Sequence, residues 1–114
     1  MKELTNMLEN ILEELKNLHE AELTDEEREA AEENGEAYDL YSYFADVLDF
    51  EYTINSRKEY SSVKVWLTLG GPNIWIDTSE REIRGAWGSS RESVYLPYEI
   101  CEEIDSIFEE YYNC

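Results

Sequence analysis

The order in which the hydrophobic period changes along the chain predicts an α+β protein. Helical spacing runs through residues 1–49, alternation with a period of two takes over in 50–96, and helical spacing returns in 97–114. Glycine, proline and short polar clusters interrupt the middle part, so its strands are joined by connections too short for parallel crossovers. The expected architecture is N-terminal helices, a four- to five-strand antiparallel meander sheet, and a C-terminal helix packed on one sheet face. The 114 residues suit one domain, made of an acidic helical part (1–49), the sheet (50–96) and the closing helix (97–114).

Each element has its own signal. Leu4, Leu8, Ile11, Leu15 and Leu18 recur at alternating spacings of four and three, with Met7 and Leu12 widening the stripe, which predicts an amphipathic helix over 3–20. Thr24 followed three residues later by Glu27 has the form of a capping box, so a second helix is expected from Asp25, with Asn34-Gly35 as its stop. Ala37, Tyr41, Phe44, Val47 and Leu48 predict a third helix from Glu36 to about Leu48. Phe50, Tyr52 and Ile54 alternate with polar residues as a first strand. Val63, Val65, Leu67 and Leu69 do so as a second. "GGPN" breaks the pattern, Ile74 and Ile76 mark a third strand, and "EIRGAWG" a fourth. "SSRES" is expected as a loop, with "VYL" a brief extension of the sheet. Pro97 suits the first turn of the final helix, whose buried stripe is Ile100, Cys101, Ile104, Ile107, Phe108 and Tyr111.

Charge is the most unusual property of the chain. The net charge of −19 is not that of a disordered tail, because 42% of the residues are hydrophobic and 13% aromatic. Residues 1–51 carry 17 acids and 3 bases, residues 52–91 carry 4 acids and 6 bases, and residues 92–114 carry 7 acids and no base. The negative potential therefore belongs to the two helical ends and not to the sheet. No apolar run has the length of a membrane span, and the N-terminus lacks the features of a secretory signal, so a soluble cytoplasmic protein is expected.

Catalytic chemistry finds little support. The single histidine, His19, sits near the end of the first helix with no nucleophile at a telling spacing. The chain has no GxSxG, P-loop, HExxH or EF-hand spacing, and its carboxylates are too numerous for one pair to be informative. Cys101 and Cys114 form no CxxC pair and are expected as a buried thiol and a free terminal one. A non-enzymatic protein without catalytic residues, cofactor or metal is expected. The alternative of a small hydrolase or nuclease requires divalent-metal-dependent activity.

Two constellations point to binding. By strand alternation Lys64, Trp66 and Thr68 point away from Val63 and Val65, Trp75 and Asp77 share that second face, and Arg84 joins them. The pair Trp66 and Trp75 is then either an exposed interaction patch or a second small core beneath a helix or loop. Basic residues beside aromatics suit single-stranded nucleic acid, but the surrounding charge repels phosphate, so no direct nucleic-acid binding is expected. The other constellation is "LTDEEREAAEENGEAYD", with eight acids against one base, Arg28. Asp25/Glu29, Glu29/Glu33 and Glu32/Glu36 are like-charge pairs four residues apart, each unfavourable by about 0.2–0.5 kcal/mol in an isolated helix. Such a segment trades helix stability for charge density. Generic acidity for solubility is one account of it. Imitation of a nucleic acid is the other, with Asp25, Glu26, Glu29, Glu32, Glu33, Glu36 and Asp39 in the places of phosphates.

The C-terminal half, "LGGPNIWIDTSEREIRGAWG" followed by "YLPYEICEEIDSIFEEYYNC", resembles a group of small acidic proteins carried by phages, plasmids and other mobile elements. The resemblance covers about residues 66 to 114 and rests on Gly70, Gly71, Pro72, Trp87, Gly88, Ile104, Asp105 and Phe108. It brings no catalytic motif and leaves the acidic helices outside the match. It implies an anti-defence context, in which small acidic inhibitors act on CRISPR effector nucleases or restriction enzymes and several imitate DNA. The expectation that follows is an anti-CRISPR protein whose acidic helices block the basic DNA-binding channel of an effector nuclease. The alternatives are an anti-restriction protein, or a protein-interaction module or homodimer working through the Trp66/Trp75 face.

Overall fold

The computed structural model describes residues 2–45, 47 and 49–113 and has the expected α+β architecture. The described elements are α1 (Lys2–Glu20), α2 (Asp25–Glu33), α3 (Leu40–Phe44), β1 (Asp49–Ile54), β2 (Tyr60–Thr68), β3 (Asn73–Asp77), β4 (Glu82–Trp87), β5 (Ser90–Tyr95) and α4 (Tyr98–Tyr112). The five strands form one antiparallel sheet in sequence order. Helix α1 lies over β4 and β5, α4 lies over β2, and α3 packs against both helices. Their apolar stripes join one face of the sheet in a single core, with Leu4, Leu8 and Leu15 from α1, Ile100, Ile104 and Phe108 from α4, and Val63, Val65, Ile74, Ile76 and Ile83 from the strands.

Two close approaches fix this packing. A β-carbon on Gly85 would stand 2.8 Å from Leu4 Cδ1 and 3.2 Å from Leu8 Cδ2, so the glycine is what lets α1 settle on β4. The Phe108 ring meets Phe44 at 5.6 Å, Phe50 at 5.0 Å and Tyr111 at 5.6 Å, joining α3, β1 and α4 through aromatic edges. Between β2 and β3, Gly70 and Gly71 take φ of +93° and +107°, a conformation that residues with a β-carbon rarely adopt.

Several expectations need correction. The third helix is only five residues long. Asp39 Oδ1 accepts the Ser42 amide at 2.8 Å and Ser42 Oγ accepts the Asp39 amide at 3.1 Å, a reciprocal cap that starts the helix at Leu40 rather than Glu36. Asp46 and Leu48, assigned to that helix, lie outside the described residues. The loop expected at "SSRES" is mostly strand: Ser90 pairs with Trp87 across the Gly88-Ser89 turn, and β5 then forms the full-length fifth strand. Leu69, expected inward, is exposed, because the β2–β3 register shifts after Trp66 and the strand ends at Thr68.

The core also holds polar groups. Tyr60 donates its hydroxyl to Asp105 Oδ1 at 2.6 Å. Burial raises the Asp105 carboxyl above its usual value, more than the hydrogen bonds from Tyr60 and Thr78 lower it. A carboxyl raised on folding contributes stability below its unfolded value and loses it as pH rises through the folded one. Asp105→Asn keeps an acceptor for Tyr60 and removes the half-buried charge. The variant is therefore expected to be at least as stable as wild type at neutral pH, with a flatter stability profile above the ordinary Asp value of 3.8, as followed by urea unfolding. Cys101 is buried with its thiol 3.7 Å from the Leu96 carbonyl, and desolvation pushes it up to about 11. In a Cys114→Ser background, Cys101 is expected to resist alkylation at about pH 8 until the protein is denatured, by mass spectrometry. Cys114 itself lies outside the described residues.

Candidate functional site

Helix α2 is built from local signals alone. Thr24 is its N-cap, with Oγ1 accepting the Glu27 amide at 3.2 Å and donating to Glu27 Oε1 at 3.1 Å. Asp25, Glu26 and Glu27 fill the first turn, where the helix dipole favours anions. The C-terminal end closes in a Schellman pattern: the Gly35 amide meets Glu32 O at 3.1 Å and the Glu36 amide meets Ala31 O at 2.8 Å, with Gly35 at φ +70°. Glu36 therefore lies past the helix, and the expected helical pair Glu32/Glu36 does not form on it.

No residue of α2 is buried. Leu23 and Ala31 are half-buried, and two contacts with the segment leading to α3 hold the helix. The Arg28 guanidinium lies 5.2 Å from the centre of the Tyr38 ring, and the Tyr38 hydroxyl donates to Glu32 Oε1 at 3.1 Å. That bond to Glu32 is the main reason the Tyr38 hydroxyl is raised above its usual value. Asp25, Glu26, Glu29, Glu32 and Glu33 are all exposed. At 3.6 residues per turn these five lie within an arc of about 120°, roughly opposite Ala31, with Arg28 flanking the arc one turn before Glu32. Asp39 does not join them, because its carboxylate caps α3 and is half-buried. A cleft of about 270 Å³ runs from Arg28 and Tyr38 to Glu103 and Ile107 of α4. At its rim His19 Nδ1 lies 3.1 Å from Glu103 Oε1, so the one histidine bridges α1 and α4.

The second surface is the sheet face opposite the helices. Cross-strand register aligns Asp49, Trp66, Trp75, Arg84 and Ser93 in one row, and Glu51, Lys64, Asp77, Glu82 and Tyr95 in the next. Both rows alternate with the core-facing row of Phe50, Val65, Ile76, Ile83 and Val94. Among the described residues no helix lies over this face, so Trp66 and Trp75 are half-buried on an open surface and not a second core. Arg84 Nε pairs with Glu82 Oε2 at 3.2 Å. Beside Trp75, a cleft of about 410 Å³ is lined by Arg84, Arg91 and Ser93. Asp49, Arg91 and Ser93 were not singled out from the sequence. Their common signal is register, which fixed pairing reveals and composition does not.

Among the described residues no helix is long and apolar enough to cross a membrane. Among the same residues no group of three His, Cys, Asp or Glu side chains is gathered to hold a metal ion. Compared with known protein families, curated proteins and solved structures, the chain matches none. Two surfaces remain as candidate sites: a solvent-facing helix of carboxylates and an open sheet face with two tryptophans.

Proposed function

We propose that the protein is a non-enzymatic anti-defence inhibitor, an anti-CRISPR protein that sets α2 into the basic nucleic-acid channel of an effector nuclease. The observation that carries this reading is that α2 exposes five carboxylates on one side while burying no residue in the core. A helix of this kind adds little to the fold, and its charge is disposed for a partner. With a rise of about 1.5 Å per residue, Asp25, Glu26, Glu29, Glu32 and Glu33 present roughly one charge per 2.5 Å. That density lies between the spacing of about 3.4 Å along one DNA strand and about 1.7 Å along the duplex. Capping at Thr24 and the Schellman turn at Gly35 hold the array in one shape, so little order has to be imposed on binding. The resemblance of the C-terminal half to proteins of mobile elements supplies the anti-defence context.

Order of addition tests the reading. Incubated with a CRISPR effector before its DNA, the protein is expected to block cleavage; added after the DNA has loaded, it is expected to have little effect. Equal inhibition in both orders would reject competition for the channel. A parallel arm with a restriction endonuclease distinguishes the two enzyme classes that present the same basic chemistry.

A further inference from the structure

The open sheet face is self-complementary, and we propose that it pairs with the same face of a second copy of this chain. The inference rests on strand register and does not depend on α2. Along the row Asp49, Trp66, Trp75, Arg84 an acid stands at one end, a base at the other and two indoles between them. A two-fold axis parallel to the strands, midway between β2 and β3, sets Trp66 of each copy over Trp75 of its partner. The same operation sets Asp49 over Arg84, twice. In the adjoining row it brings Lys64 over Asp77, whose carboxylate is buried and held by Ser79 and the Glu80 amide, so the complementary charges between copies are those of Asp49 and Arg84. The one like-charge meeting, Glu51 with Glu82, falls where Arg84 already neutralises Glu82 at 3.2 Å. Reciprocal contact of this kind is what an isologous interface requires, and tryptophan and arginine are the residues that most often anchor one.

Size and charge define how such a dimer behaves. Four overlapping strands about 4.8 Å apart and about 20 Å long give a footprint of about 400 Å² per copy, half of a standard interface, so the association is weak. The helix layers face outward on either side of the paired sheets, about 30 Å apart, well beyond the Debye length of about 8 Å at 0.15 M salt but comparable to the length of about 30 Å at 0.01 M. Dimers are therefore expected at physiological salt and are lost at low salt, the reverse of an association held by surface charge pairs alone.

Sedimentation equilibrium with charge reversals provides the test. In Asp49→Arg both ends of the row are cationic, and in Arg84→Asp both are anionic, so each variant alone brings like charges together at both ends and is expected to be monomeric. An equimolar mixture brings opposite charges together at both ends and is expected to restore the dimer. Because both side chains are exposed, the substitutions leave the core untouched, and recovery in the mixture itself demonstrates folded partners. Three results would overturn the proposal: a wild type that stays monomeric up to about 0.5 mM, variants that each dimerise like wild type, or a mixture that stays monomeric while wild type dimerises. A monomeric wild type whose tryptophan fluorescence is quenched by a single-stranded oligonucleotide would overturn it in favour of a nucleic-acid platform.

Discussion

Phe108→Ala is expected to destabilise the protein by about 3–5 kcal/mol, the range for truncating a fully buried phenylalanine. The ring is wholly inaccessible and touches Phe44, Phe50 and Tyr111, so its loss opens a cavity where α3, β1 and α4 meet. Collapse cannot readily fill that cavity, because the three neighbours are held by separate elements. For a domain of this size the melting temperature is expected to fall by about 15 °C or more, as followed by circular dichroism. A domain with a total stability of about 5–15 kcal/mol has little margin for such a loss. Phe108→Leu keeps most of the volume and is expected to cost much less, which separates cavity formation from loss of ring contacts. A fall of under about 1 kcal/mol in the alanine variant would show that α4 is anchored elsewhere.

Changing Glu26, Glu29, Glu32 and Glu33 together to Gln is expected to weaken binding strongly and to leave folding nearly unchanged. Nothing in α2 is buried, so no core contact is lost. Glutamine has a helix propensity close to that of glutamate, and at position 32 it still offers an oxygen to the Tyr38 hydroxyl. Removing the Asp25/Glu29 and Glu29/Glu33 repulsions contributes about 0.2–0.5 kcal/mol each and losing Glu26 from the first turn costs about 0.3–1 kcal/mol, so stability should stay within about 1 kcal/mol of wild type in urea unfolding. If each carboxylate takes the place of a phosphate in a basic channel, the slope of log affinity against log salt should become shallower by about 3–4, and affinity at low salt should fall at least about a hundredfold. Generic acidity predicts neither change.

The elements with a long, clean period were legible in the sequence. The stripe from Leu4 to Leu18 became α1, the alternation through Val63 and Val65 became β2, and Ile100 to Phe108 became the buried face of α4. Local chemistry placed both ends of α2, because Thr24 and Asn34-Gly35 act through bonds within a few residues. Where a local cap competed with a periodic pattern, the cap prevailed: Asp39 and Ser42 started α3 four residues late. Only the Val94-Tyr95 end of β5 was expected as strand, because a polar edge strand buries little and carries a weak alternation, and the shift after Trp66 that exposes Leu69 has no single-residue signature. The two surfaces were visible only in part. That Trp66 and Trp75 share a face follows from parity, but Asp49 and Arg84 at opposite ends of their row depend on the register of three strand pairs. Of the acidic set, Glu36 and Asp39 were separated from the rest by backbone turns that charge counting does not detect.

The most direct measurement is displacement of labelled guide–target nucleic acid from a purified CRISPR effector by wild type and by the four-glutamine variant, across a salt series. The mimicry account predicts that wild type competes at low salt, loses affinity steeply as salt rises, and that the variant competes weakly at every salt concentration while remaining folded. Wild type and variant competing equally, with no dependence on salt, would contradict it.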